Sequence, residues 1–275
     1  MQYVKLNTGA QMPILGFGVW QVEDSQEGVD VVKTALEVGY RSIDTAAIYG
    51  NEKEVGRAIK ESGVPRDEIF LTTKVWNEVQ RSGNVEDAFA QSIKDLQVDY
   101  VDLYLIHWPV KDKYVDTWLE LEKIYKSGRA KAIGISNFHQ HHIEDIKKVW
   151  SVVPAVNQFE MNPLLSQKPL IEYCKNLGIV PQSWSPLGGA NSVAEILKNE
   201  TLNAIGKKYN KSAAQVILRW NIDLGVVVIP KSATKSRIAD NFNVMDFKLT
   251  ADEIAQIDAL NQDKRSGADP ETFNF

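Results

Sequence analysis

Eight short apolar runs, separated by longer stretches with helical periodicity, constrain this chain more than any other feature. The runs are "ILGFG" (14–18), "RSID" (41–44), "IFLTTK" (69–74), "VDLYLIH" (101–107), "AKAIGIS" (130–136), "PAVNQ" (154–158), "GIVPQSW" (178–184) and "GVVVIP" (225–230). Between them, "EGVDVVKTALEVGY" puts Val29, Val32, Ala35, Leu36 and Gly39 on one face, and "NEKEVGRAIKES" does so with Val55, Ala58 and Ile59. "VEDAFAQSIKDL", "YVDTWLELEKIYKSG", "HIEDIKKVW", "QKPLIEYCKNLG" and "SAAQVILRWNIDLG" repeat the pattern. Gly39, Gly128 and Gly178 stand where helices stop, and Asn51 with Glu54 spells a capping box. Strict alternation of strand and helix implies parallel strands joined by helical crossovers. Eight such units in 275 residues fit a closed (β/α)8 TIM barrel better than an open doubly wound sheet. "YVKLN", a Thr8-Gly9 turn and "QMPIL" add an N-terminal β-hairpin. The polar tail "NQDKRSGADPETFNF" (261–275) reads as a C-terminal loop over the active-site mouth, and residues 1–275 as a single domain.

The totals narrow the function. A net charge of -5 supplies no basic field for nucleic acid. The single cysteine, Cys174, excludes a disulfide within the chain and reads as a packed thiol rather than a nucleophile. "MQYVKLNTGAQMP" has neither the basic nor the apolar region of a signal peptide, and no apolar run reaches a membrane span. A cytoplasmic protein with no membrane partner is expected, and the sequons at Asn199 and Asn210 read as chance spellings.

Barrel enzymes assemble their sites from the C-terminal ends of the strands. The second run ends in Asp44, with Tyr49 in the loop behind it; the third ends in Lys74 and the fourth in His107. Consecutive runs make neighbouring strands, so these four side chains should meet at one mouth. A free phenol titrates near pH 10, too high for easy proton donation, and a nearby ammonium lowers that value. A carboxylate keeps a buried lysine charged, and a histidine can orient a carbonyl oxygen. Asp44, Lys74, Tyr49 and His107 thus read as a proton donor aimed at an oxyanion that develops during reduction. Singly, each has a duller account: a loop cap, a snorkelling lysine, a rim tyrosine, a core histidine. Four at neighbouring strand ends make coincidence a poor explanation.

With these residues in view, the chain resembles the aldo-keto reductases. "DTAAIYGNE", "LTTKVW", "LYLIHWP", "IGISNF", "NQFEMNP", "SWSPLG" and "IPKSATKSRIADN" are similar to that family's signature segments, in its order, across essentially the whole chain. The resemblance implies a (β/α)8 barrel that reduces aldehydes and ketones with NADPH. It implies Tyr49 as general acid, Lys74 and Asp44 as the groups that tune it, and His107 as the group that positions the carbonyl.

The dinucleotide fingerprint G-x-G-x-x-G fails, since Gly16 and Gly18 are followed by Gln21. A nicotinamide cofactor must therefore bind another way. After Pro230, Lys231, Ser232 and Arg237 gather at the start of a helix, where barrels hold phosphates. The duller account is a solvated basic loop. The resemblance assigns these three to the 2′-phosphate of NADPH and Asn241 to the adenine, which favours NADPH over NADH. Ser185, Leu187 and Gly188 can turn backbone amides toward a pyrophosphate. Trp184 matches the family position that stacks on the nicotinamide, where many relatives carry tyrosine or phenylalanine. Ser136, Asn137 and Gln158 resemble the residues that hold the carboxamide; alone, they would satisfy loop backbone equally well.

Trp20, Trp76 and Trp108 each fall just past a strand end, so they can wall an apolar substrate pocket, or simply pack the rim. The loops after Pro109 and Gly189 are short, which argues for an open mouth and for small carbonyls such as methylglyoxal, glyoxal or keto sugars over steroids and prostaglandins. The tail "GADPETFNF" resembles that of microbial members acting on dicarbonyls and diketo-sugar acids. "HQHH" (139–142) spells no metal motif and reads as an exposed helix start, so no metal is expected. A monomer is expected from the family. Two rivals remain at this stage: a Schiff-base aldolase using Lys74, and a non-catalytic NADPH-binding sensor or partner subunit.

Overall fold

A computed structural model describes residues 1–273. Every one of the eight apolar runs contains a strand. The hairpin strands are β1 (Tyr3–Lys5) and β2 (Gln11–Pro13), followed by β3 (Phe17–Gly18), β4 (Ser42–Asp44), β5 (Phe70–Val75), β6 (Leu103–Ile106), β7 (Ile133–Ser136), β8 (Val156–Glu160), β9 (Val180–Trp184) and β10 (Val227–Val228). The helices are α1 (Gln26–Val38), α2 (Glu52–Ser62), α3 (Asn77–Ser82), α4 (Val85–Leu96), α5 (Tyr114–Lys126), α6 (Gln140–Lys147), α7 (Lys168–Asn176), α8 (Gly189–Leu197), α9 (Glu200–Tyr209), α10 (Ala213–Asp223), α11 (Lys235–Phe242) and α12 (Ala251–Asp258).

Strands β3 to β10 pair in parallel, each with its successor in the chain. The ring closes where Val228 donates to Ile14 O at 2.9 Å and Gly16 donates to Val228 O at 2.9 Å. Glycines at the seam are explained by this closure. A Cβ on Gly16 would sit 2.9 Å from Ser42 Oγ, and one on Gly18 would sit 3.2 Å from Ile229 O. The failed dinucleotide fingerprint is therefore a packing requirement between the first and last barrel strands. The barrel forms the fold of the known (β/α)8 enzymes, with the antiparallel β1–β2 hairpin at its N-terminal end. There Leu6 and Met12 are buried, and Asn7 Nδ2 donates to Pro154 O at 3.0 Å just ahead of β8.

Register positions the mouth. Asp44 pairs with Thr72, Lys74 with Leu105, Ser136 with Gln158, and Glu160 with Trp184. Lys74 thus stands two positions beyond the partner of Asp44, and His107 two positions beyond the partner of Lys74. That is the stagger a tilted barrel strand requires, and it keeps all three side chains on the inner face. One local expectation fails. Asn51 makes no cap to α2; its Nδ2 turns inward to Val19 O (2.9 Å) and Val22 O (3.0 Å), and its Oδ1 accepts from Thr45 Oγ1. Pinning the loop after β3 against the loop after β4 outweighs the local capping box.

Candidate active site

Lys74 is the centre of the mouth. Its side chain is fully buried, and its Nζ lies 2.5 Å from Asp44 Oδ1, 2.8 Å from Thr45 O and 3.4 Å from Tyr49 Oη. An ammonium has three protons to donate, and all three are directed here. Burial works to lower the Lys74 pKa, but Asp44 and Tyr49 outweigh it and hold the ammonium above the ordinary lysine range. Tyr49 stands on the short helical turn Ala47–Tyr49 that follows β4. Its ring also faces the ammonium, 5.0 Å from Nζ to the centroid.

The expected net lowering of the phenol pKa is not what the site shows. Burial pushes the Tyr49 phenol up, Lys74 pulls it back, and Asp44 adds to the rise; the net direction is upward. Desolvation of a would-be phenolate exceeds what one ammonium, already neutralised by Asp44, returns. The resting side chain is accordingly a protonated phenol against a fixed cation.

His107 closes the group. It is 8% exposed, burial and the Lys74 charge hold its pKa well below the usual histidine range, and its Nδ1 has no partner among the described residues. It is a neutral imidazole whose proton position no neighbour dictates. Its ring lies edge-on between Tyr49 (5.6 Å) and Trp76 (5.2 Å). Trp20 packs at 4.8 Å from Tyr49 while 52% exposed. Trp108 stacks on Phe273 at 4.1 Å and lies 6.5 Å from Trp184. All three tryptophans therefore reach the mouth, and the tail reaches it through Phe273.

The amide-bearing residues form a second group on β7, β8 and β9. Gln158 Nε2 donates to Asp44 Oδ2 at 2.7 Å and to Gln182 Oε1 at 3.0 Å, so the group leans directly on the Lys74 ion pair. With both amide hydrogens engaged, Gln158 has its carbonyl oxygen to offer a ligand. Asn137 donates to His107 O (3.0 Å) and Ser136 Oγ (3.1 Å) and accepts from Trp184 Nε1 (2.8 Å). Ser136 Oγ donates to Gln158 O. Ser185 and Gly188 hold positive φ values of 46° and 88° at the turn into α8, and Leu187 is half-buried beside them.

The cations lie apart. Lys231 and Arg237 are exposed at the entry to α11, and none of the ion pairs among the described residues involves them. Ser232 and Asn241 are buried alongside, 8% and 6% exposed. The histidines of "HQHH" meet the tail. His139 Nδ1 lies 2.5 Å from Glu271 and its Nε2 3.0 Å from Arg265, while His142 Nδ1 accepts the His139 N–H. His139, His142 and Glu271 bring ligand atoms within 4.8 Å of one another, but these hydrogen bonds already engage both nitrogens of His139 and one of His142.

Sequence reasoning missed Gln182, Glu160 and the anchoring of the tail. Glu160 ends β8 two residues past Gln158, the same strand-end signal that found Lys74. The apolar run "PAVNQ" itself ends at Gln158, so its composition gives no sign that the strand continues to Glu160.

The aldo/keto reductase family model matches residues 14–262. The chain is 52% identical over 270 residues to the 9,11-endoperoxide prostaglandin H2 reductase of Trypanosoma cruzi, covering 98% of this chain and 95% of that protein. It is 52% identical over 272 residues to the glyoxal reductase of Bacillus subtilis, covering 99% and 97%. With the methylglyoxal reductase DkgA of Escherichia coli it shares 45% over 272 residues, 98% and 97% of the two chains. An aldo-keto reductase from a Medee basin deep-sea metagenome library superposes with a TM-score of 0.96 at 43% identity, covering 99% of this chain and 100% of that one. A Bombyx mori aldo-keto reductase in complex with NADP superposes at 0.90 and 37% identity, covering 97% and 95%. No helix among the described residues is long and apolar enough to cross a membrane. The chain belongs to the aldo/keto reductase family of NADP-dependent oxidoreductases.

Proposed function

We propose that the protein reduces small aldehydes, ketones and dicarbonyls, such as glyoxal, methylglyoxal or keto sugars, to alcohols at the expense of NADPH. Tyr49 is the general acid. The observation that carries this reading is one buried ammonium, Lys74, in contact with both Asp44 and the Tyr49 hydroxyl. As a carbonyl becomes an alkoxide, its oxygen takes the Tyr49 proton, and the phenolate left behind faces Lys74 at 3.4 Å. The ammonium thus acts most strongly on the charge that exists only after proton transfer, which is the differential stabilisation a catalyst needs. His107, held neutral, donates to the carbonyl oxygen and orients it.

The residues present fit a dinucleotide. Two exposed cations without carboxylate partners, beside a buried serine at a helix entry, suit a phosphate, and the buried Asn241 lies in the last turn of the same helix. Lys231, Ser232, Arg237 and Asn241 would hold the 2′-phosphate and adenine end. Ser185, Leu187 and Gly188 would meet the pyrophosphate. Trp184 would stack on the nicotinamide, and Ser136, Asn137 and Gln158 would face its carboxamide. When bound, NADPH supplies the hydride that enters the carbonyl carbon.

Trp20, Trp76 and Trp108 form the wall against which a substrate lies, and small substrates match the short loops and two relatives named for glyoxal and methylglyoxal reduction. A third relative is named for prostaglandin H2 reduction, so short loops alone are weak ground for excluding a larger substrate. We read the protein as a cytoplasmic, single-domain monomer. The aldolase reading loses its main requirement, because a Lys74 held above the ordinary range and donating three hydrogen bonds has no lone pair for a Schiff base.

The test is NADPH oxidation across short dicarbonyls, aromatic aldehydes, keto acids and a prostaglandin endoperoxide, repeated with NADH. Turnover strongest with short dicarbonyls and NADPH is expected. NADPH binding without turnover on any carbonyl would establish the sensor reading instead, and borohydride-trapped substrate on Lys74 the aldolase one.

A further inference from the structure

Glu160 is a fully buried carboxylate at the mouth that the reduction chemistry does not use. It takes part in none of the ion pairs among the described residues, and its partners are all neutral. Its Oε1 accepts from Ser266 N at 2.6 Å and from Asn162 Nδ2 at 3.3 Å, and its Oε2 accepts from Gly267 N at 3.1 Å. A buried carboxylate is costly unless hydrogen-bonded, and here two of the three donors are consecutive backbone amides of the tail.

The gripped segment is held from a second side. Asn191 Nδ2 donates to Ser266 O at 2.9 Å, and Ser266 Oγ bonds Ser192 Oγ at 3.0 Å, both from α8. What this grip accomplishes is visible at Gly267. A Cβ on that residue would stand 2.5 Å from Trp184 Cη2 and 3.1 Å from Cζ3, so the tail backbone closes directly on the outer end of the Trp184 ring. The opposite constraint on that ring comes from its own Nε1, which donates to Asn137 Oδ1 at 2.8 Å. Trp184 is thereby fixed between Asn137 at one edge and the tail at the other. The loop after β9 is too short to fold over a ligand itself, since α8 begins at Gly189. The tail stands in for it.

We propose that Glu160 is a positioning residue for cofactor retention. It clamps Ser266–Gly267 onto Trp184 and so sets the plane on which the nicotinamide stacks. This rests on the assignment of Trp184 as the stacking ring. Replacing the carboxylate by an amide keeps the volume but turns an N–H donor toward one of the two tail amides, which loosens the clamp. Adding a methyl group at Gly267 pushes the tail off the ring from the other side. The two changes attack one contact by different means and should give the same kinetic signature.

Stopped-flow release of NADPH, followed by protein fluorescence, tests this in the full-length chain. Glu160→Gln and Gly267→Ala should each speed dissociation by roughly ten-fold, with the carbonyl KM changed less than the KM for NADPH. Glu160→Asp, which keeps the charge, should recover part of the wild-type rate. A melting-temperature loss in both variants with wild-type NADPH release would assign Glu160 a purely structural role and overturn the proposal. Absence of NADPH binding by the wild-type protein would instead overturn the assignment of the cofactor residues, so the two failures are distinguishable.

Discussion

The two sides of the mouth are built on opposite principles. On β4, β5 and the end of β6, ionisable groups are buried before any ligand arrives, and the Lys74–Asp44 pair is held by hydrogen bonds: Lys74 is fully buried, Asp44 2% exposed and His107 8% exposed. Past β10, Lys231 and Arg237 stand in water without carboxylate partners. A proton donor needs its electrostatics fixed before the reaction, in a dry site where each charge acts strongly. An anion-binding lobe needs cations whose partner is the ligand, so prior pairing would only compete. The same residue types therefore have different energetic meanings on the two sides.

The largest expected effect breaks this contrast on the dry side. Lys74→Met should lower turnover by roughly 10³-fold or more. It should also cost about 3–5 kcal/mol of stability, because Asp44 is left as an unpaired buried charge. Urea unfolding and NADPH oxidation measure both; wild-type stability would remove the distinction. Next comes the wet side. The Lys231→Ala, Arg237→Ala double variant should weaken NADPH binding by roughly 10–100-fold, most at low salt, with kcat and NADH binding unchanged. Its melting temperature should stay within about 2 °C of wild type; a large drop would mean these cations are structural after all.

A smaller effect sharpens the comparison through pH. Burial holds His107 well below its unfolded value of 6.5, and burial together with the neighbouring His141 holds His142 at about 4. Between these values the unfolded chain binds protons that the folded chain does not, so stability falls as pH drops below 6.5 and is fully present above it. Melting temperature should decline between pH 6.5 and 4, and His142→Gln should flatten part of that slope. The smallest effect is expected at Trp20, which is half in solvent. Trp20→Ala should raise the carbonyl KM a few-fold and leave NADPH binding alone, as fluorescence titration would show.

Much of this was legible from the chain because barrel geometry converts sequence order into proximity. Once eight apolar runs were located, Asp44, Lys74 and His107 at three consecutive run ends had to converge, and they do. The N-terminal hairpin was equally readable from a Gly turn between two short apolar runs. What escaped depended on long-range competition. Asn51 spells a cap, yet its amide serves two carbonyls about thirty residues away. The Tyr49 phenol looked destined for a lowered pKa, but its net direction depends on burial, which no local spelling reports. Glu160 acts on Ser266 and Gly267, more than a hundred residues distant, through backbone amides that carry no sequence signature. Asn199 and Asn210 illustrate the converse: as sequons they are uninformative, but the first caps α9 through its side chain and the second ends it in a left-handed conformation.

The central claim is that the proton delivered to the carbonyl oxygen comes from Tyr49. Turnover and NADPH affinity measured on one preparation of Tyr49→Phe test it most directly. Loss of at least three orders of magnitude in kcat, with NADPH bound as tightly as by wild type, is the predicted outcome. A variant that binds NADPH normally and still reduces dicarbonyls at a comparable rate would show that another group is the acid.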